Sequence, residues 1–183
     1  MEPREVAARY TAIAEGLDAR VAGCTAAGWG ASTPCPEWTA RDILEHVVSV
    51  HRSVLALLDE PAADPDAGED VTAAWQTVTA AMRQVLRDPE RATRIVSPRF
   101  GDMPFAELVS RMVCSDTLVH TWDLARASGQ DERLDDHAVA VAWTWMQPAG
   151  ENLRASGAFG PPIEPPAGAD TQTKLLCFLG RRV

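Results

Sequence analysis

Hydrophobic positions recur at helical intervals along most of the chain, and clean two-residue alternation is scarce. Val6, Ile13, Leu17 and Val21 predict a first helix from about Arg4 to Ala22. The run from Gly28 to Pro36 holds two glycines and two prolines and forbids its continuation. Thr39 then offers an N-cap, with Asp42 three residues on in a capping-box position. Trp38 and Ile43 flank that cap as a hydrophobic staple, and Leu44, Val47, Val48, Val54 and Leu58 carry a second helix to just before Pro61. An acidic connector from Asp59 to Asp70 leads to a third helix, roughly Val71 to Leu86, ended by Asp88-Pro89. Residues 92–103, with Ile95, Val96 and Phe100 around Pro98 and Gly101, read as a short ribbon or an ordered loop. A fourth helix runs from Pro104 to Ala127, with Leu108, Met112, Val119 and Leu124 toward the core and Gly129 at C′. Asp135 or Asp136 caps a fifth helix through Trp143 and Trp145 to about Gln147. A Pro-rich loop from Gly157 to Gly168 follows, and Asp170 caps a short last helix ending at Gly180. The pattern predicts a single all-α domain over 1–183: a four-helix bundle with short additional helices.

Composition sharpens this picture. With 183 residues the chain needs neither metal nor disulfide to bury a core. Its 17 Lys+Arg against 26 Asp+Glu give a net charge of -9, which argues against a nucleic-acid backbone or an anionic membrane as partner. No apolar run reaches the ~20 residues of a membrane span, and Met1-Glu2-Pro3-Arg4-Glu5 is too charged for a secretory signal. Cys24, Cys35, Cys114 and Cys177 are scattered without a C-x-x-C pair and read as free thiols. A cytoplasmic protein is expected.

Candidate chemistry concentrates on two helices. His46 and His120 both sit among aliphatic residues, where ring nitrogens must be satisfied by hydrogen bonds, by a metal, or by both. Asp116 precedes His120 by four residues, about 40° round the helix, and Asp123 falls only about 20° from Asp116. One helix face thus presents carboxylate, imidazole and carboxylate. The same D-x-x-x-H spacing also suits a plain hydrogen-bonded pair. His51, about 140° round the second helix from His46, belongs to another face, and His137 lies at a helix start facing solvent. Cys35, between two prolines, is either loop packing or a reactive thiol. Arg99 and Arg126 are candidates for clamping a substrate carboxylate, against the ordinary alternative of surface ion pairs.

Three segments resemble one family. Thr33-Pro34-Cys35-Pro36-Glu37-Trp38-Thr39-Ala40-Arg41-Asp42-Ile43-Leu44-Glu45-His46 is similar to the signature of actinobacterial maleylpyruvate-isomerase N-terminal-domain proteins, members of the DinB/YfiT-like metal-binding superfamily. Asp116-Thr117-Leu118-Val119-His120-Thr121-Trp122-Asp123-Leu124-Ala125-Arg126-Ala127-Ser128-Gly129 resembles the family's second block. Phe159-Gly160-Pro161-Pro162 and the segment from Lys174 to Arg181 resemble its closing block. The resemblance implies a DinB-like four-helix bundle holding a divalent metal on His46, Asp116 and His120. Characterised maleylpyruvate isomerases carry Glu at the position of Asp116, and a further sterol-carrier-like domain for which this chain has no room.

The function implied is that of a metal-dependent enzyme using a low-molecular-weight thiol, mycothiol, as a thiol-dependent isomerase or S-transferase. Its substrate would be an electrophile or an unsaturated acid. Zinc is the expected ion, since imidazole and carboxylate suit it; nickel, iron and manganese tolerate similar donors. The alternative class is a non-catalytic metal-binding or small-molecule-binding stress-response module of the same fold. Trp75 and Trp145, taken as exposed aromatics, allow a homodimer. If the bundle forms, His46 faces the Asp116/His120 pair, and Asp123 sits beside them as a spare ligand or an acceptor for an imidazole N–H.

Overall fold

The computed structural model describes residues 2–59, 70–99, 101–155 and 159–183, with Asn152 described by its backbone alone. Most of the acidic connector, residues 60–69, lies outside the described residues, as do Phe100 and Gly157. Two compact units divide the chain, Met1–Glu132 and Arg133–Val183.

The first unit is the bundle. Helix α1 spans Pro3–Gly23, with proline in its first turn where the missing N–H costs nothing. Helix α2 spans Ala40–Leu55 and continues as a 3-10 turn through Leu58. Its start is the predicted capping box: the Asp42 N–H donates to Thr39 Oγ1 at 3.4 Å, and the Thr39 N–H donates to Asp42 Oδ2 at 2.7 Å. Those hydrogen bonds from Thr39 hold the Asp42 carboxyl below its usual range. Thr39→Ala is expected to cost about 1 kcal/mol, read as a melting-temperature loss of about 3 °C.

Asp70 caps α3, Val71–Arg87, by accepting from the Thr72 N–H. Asp88 ends α3 and at once starts α4, Pro89–Thr93, its carboxylate accepting from the Glu90 and Arg91 N–H groups. The extended stretch is a minimal ribbon, β1 (Ile95–Val96) antiparallel to β2 (Met103–Pro104). The fourth predicted helix is real but interrupted. Helix α5, Phe105–Leu108, passes through a π-helical turn, Val109–Val113, into α6, Cys114–Ser128. Gly129 ends α6 at φ 68, its N–H returning to the last turn.

Four of these helices close a ring: α1 packs on α3 and α6, and α2 packs on the same two. Their facing apolar rows, among them Leu17, Ile43, Leu44, Leu55, Met82 and Leu124, are fully buried. This is the all-α, DinB-like bundle expected from the sequence. Two core assignments need correction. Trp75 is not an exposed aromatic: it is 1% exposed and donates its indole N–H to Asp18 Oδ1 at 2.6 Å. Met112 does not face the core but is 38% exposed, because the π turn adds a residue and moves Val109 and Val113 onto the buried side.

The second unit holds α7 (Asp136–Met146, capped by Asp135), α8 (Gly150–Ala155) and α9 (Thr171–Phe178, capped by Asp170). Trp143 meets Phe178 edge-on, with ring centroids 5.7 Å apart. The Pro-rich segment is tied to α9 by the Ile163 N–H donating to the Cys177 carbonyl. Trp145 is half-buried. Among the described residues no helix is long and apolar enough to cross a membrane.

Candidate metal centre

Because α2 and α6 are neighbours in the ring, His46 is brought to the Asp116/His120 face across seventy residues of sequence. His46 Nε2 lies 3.1 Å from Asp116 Oδ1, and His120 Nε2 lies 3.5 Å from the same oxygen. One donor atom from each of the three falls within 4.8 Å of the others. The two imidazoles meet edge to face, centroids 5.0 Å apart. Asp116 follows the π turn by three residues, so its register on α6 is undisturbed and the predicted α-helical angle to His120 holds. Elements with π turns often carry function, and here the turn sits directly before the first acidic group of the site.

The donor set fits a divalent ion. Asp116 Oδ2 is buried and accepts no hydrogen bond, although Oδ1 faces both imidazoles. A buried carboxylate oxygen without a donor is costly unless a cation supplies the missing partner. Burial pushes the Asp116 carboxyl up, but the neighbouring imidazoles of His120 and His46 outweigh it and leave its pKa below the usual range. The hydrogen bond to Asp116 in turn raises His46, against a smaller opposing effect of burial.

The outer partners define the tautomer of His120. Its Nδ1 lies 2.9 Å from Asp123 Oδ2, so Nδ1–H donates to that carboxylate and the Nε2 lone pair points at the cluster. Asp123 is fully buried and stands where the sequence put it, beside the pair as an acceptor. His51 points elsewhere: Nδ1–H donates to the Val47 carbonyl at 2.8 Å, and Nε2 accepts from the Tyr10 hydroxyl at 2.9 Å. His137 is exposed. Arg126 is engaged by the Glu132 carboxylate at 2.6 and 2.9 Å and lies over the Trp122 ring, while Arg99 is exposed.

Two participants escaped the sequence reading. Trp38, taken there as a staple, lays its ring 4.9 Å from the His46 ring and 5.9 Å from that of His120. Cys35 places its Sγ 3.5 Å from Asp123 Oδ2. Their membership in the Thr33–His46 segment was the available signal, but which way a loop residue turns is set by tertiary contacts. Cys114, by contrast, is buried and its thiol is pushed up to about 12 by that burial, which makes it inert at neutral pH.

The chain belongs to the mycothiol maleylpyruvate isomerase N-terminal domain family, whose model matches residues 10–125. That span contains all three residues of the cluster. Two uncharacterized proteins of Mycobacterium tuberculosis, from strains CDC 1551 / Oshkosh and ATCC 25618 / H37Rv, are each 30% identical over 156 residues, covering 84% of this chain and 85% of theirs. No solved structure matches the chain.

Proposed function

We propose that the protein is a cytoplasmic, divalent-metal-dependent enzyme that uses mycothiol, acting as a thiol-dependent isomerase or S-transferase. The observation that carries this reading is the convergence of two imidazole Nε2 atoms on Asp116, whose second oxygen is buried without a donor. Family membership supports the thiol. His46, Asp116 and His120 would hold the ion, with zinc best suited to this imidazole and carboxylate set. When bound at three protein ligands, such an ion keeps open positions and lowers the pKa of a thiol that reaches it, so that thiolate exists at neutral pH.

The chain's own residues supply orientation. Asp123 fixes the His120 tautomer through Nδ1–H, which keeps Nε2 available as a donor atom. Trp38 covers one side of both rings and narrows the approach to them. A thiolate held there has two uses: reversible addition to an unsaturated acid, or displacement of a leaving group from an electrophile.

The test is incubation of the metal-loaded chain with mycothiol and a panel of electrophiles and unsaturated acids. Thiol consumption or isomerisation above the metal-free control is expected. No turnover with any substrate, together with thermal stabilisation by thiol or acid, would instead assign a binding module.

A further inference from the structure

The His120 ring has two edges, and a second set of donors faces the other one. Cys35 Sγ, a His120 ring nitrogen and an Asp123 carboxylate oxygen lie within 4.8 Å of one another. The tighter contacts are Cys35 Sγ to Asp123 Oδ2 at 3.5 Å and Asp123 Oδ2 to His120 Nδ1 at 2.9 Å. Donors at ordinary zinc-ligand lengths, tetrahedrally arranged, sit about 3.3–3.8 Å apart, so small side-chain movements would close this set on an ion. We propose that Cys35, Asp123 and His120 Nδ1 form a second, outer site for a soft, thiophilic divalent cation, alternative to the inner site on the opposite ring edge.

Three observations besides the cluster itself support the assignment. The thiol is delivered by a fixed loop: Thr33 Oγ1 accepts from the Cys35 N–H and donates to the Cys35 and Trp38 carbonyls, and Ser32 pairs with Thr39 in an isolated bridge. Prolines on both sides of Cys35 stiffen it further. The acid groups are unequal in access, since Asp123 is fully buried and His120 nearly so, while Cys35 is half-exposed. An ion arriving from solvent therefore meets the sulfur first.

The shared ring makes the two sites exclusive. A neutral imidazole has one lone pair. With Nε2 as the donor, Nδ1–H remains on Asp123; with Nδ1 as the donor, Nε2–H faces Asp116 Oδ1 at 3.5 Å. Both states have a carboxylate waiting for the ring proton, and the thiol proton leaves to solvent when sulfur ligates. Donor softness then decides: the nitrogen and oxygen set of the inner site takes the harder ions, and the sulfur-containing set takes the softer. The outer site does not depend on the inner one being occupied.

Cobalt(II) titration of the full-length, metal-free chain tests this, because only a thiolate ligand gives a sulfur-to-cobalt charge-transfer band. Asp116→Asn and, on the half-exposed partner, His46→Ala each dismantle the inner set while keeping the outer one; far-UV circular dichroism checks their fold. Either variant is expected to bind one cobalt with the charge-transfer band, and adding Cys35→Ser is expected to abolish the band and weaken cobalt binding by about tenfold or more. Cys35→Ser alone should bind cobalt without the band; if it binds none, the inner site fails while the band in Asp116→Asn still upholds the outer. Folded Asp116→Asn and His46→Ala chains that bind no cobalt, or bind it without the band, would overturn the proposal. So would a band that survives Cys35→Ser.

Discussion

Replacing His120 with alanine is expected to abolish retention of a divalent metal through dialysis. The change removes the Nε2 donor and also the Nδ1–H that engages Asp123, so a buried carboxylate loses its partner as well. Loss of a partner outside the ligand shell alone typically costs 10–100-fold in metal affinity, so removal of a ligand should exceed about 100-fold. His51→Ala is the internal control. His51 lies on the same helix as His46 but is spent on Val47 and Tyr10, so its loss should destabilise the fold and leave metal content unchanged. Elemental analysis of metal per chain, with thermal melts for both variants, reads the two effects separately. Stoichiometric metal in folded His120→Ala would remove this residue from the site.

The second large effect concerns pH. His51 is fully buried, and burial pushes its pKa from 6.5 down to about 4, a shift that outweighs the hydrogen bond to Val47 and the charge of Asp116. Above about pH 6.5 the ring is neutral in both folded and unfolded chains, and its contribution is fully present. As pH falls from there toward about 4, the unfolded chain takes up a proton that the folded chain refuses, and stability is lost. The whole window is worth about 3 kcal/mol at 1.36 kcal/mol per pH unit. In the metal-free chain His46 runs the other way. Its raised pKa gives stability present below the unfolded value and lost as pH rises through the folded one, so comparison with a variant is needed to isolate His51. His51→Gln keeps an acceptor for Tyr10 and a donor for Val47 but cannot titrate. Denaturant unfolding near pH 7 and near pH 4 should show the wild-type chain losing about 3 kcal/mol more than the variant. Equal losses would mean that His51 takes up its proton in the folded state.

Much of this was legible because it is local. The Thr39/Asp42 box, the Asp70, Asp135 and Asp170 caps, and the Gly129 terminus are decided by residues within one turn of each other. The Asp116–His120–Asp123 face could be counted along α6 because it lies wholly beyond the π turn. The π turn itself left no trace in the apolar spacing, and Met112 was misplaced as a result. That Trp75 is buried could not be read from α3, since its cover comes from α1 and from His51 on α2. The meeting of His46 with Asp116 is likewise a property of helix order in the ring. Neither segment announces it, and only the family resemblance anticipated it.

The measurement closest to the central claim is an anomalous-scattering map from crystals of the protein loaded with one equivalent of zinc. The account predicts a single strong peak about 2.0–2.2 Å from His46 Nε2, His120 Nε2 and an Asp116 carboxylate oxygen, with Asp123 still accepting from His120 Nδ1. Crystals with no peak between α2 and α6, or with zinc ligated elsewhere and the His46 and His120 rings turned apart, would contradict it.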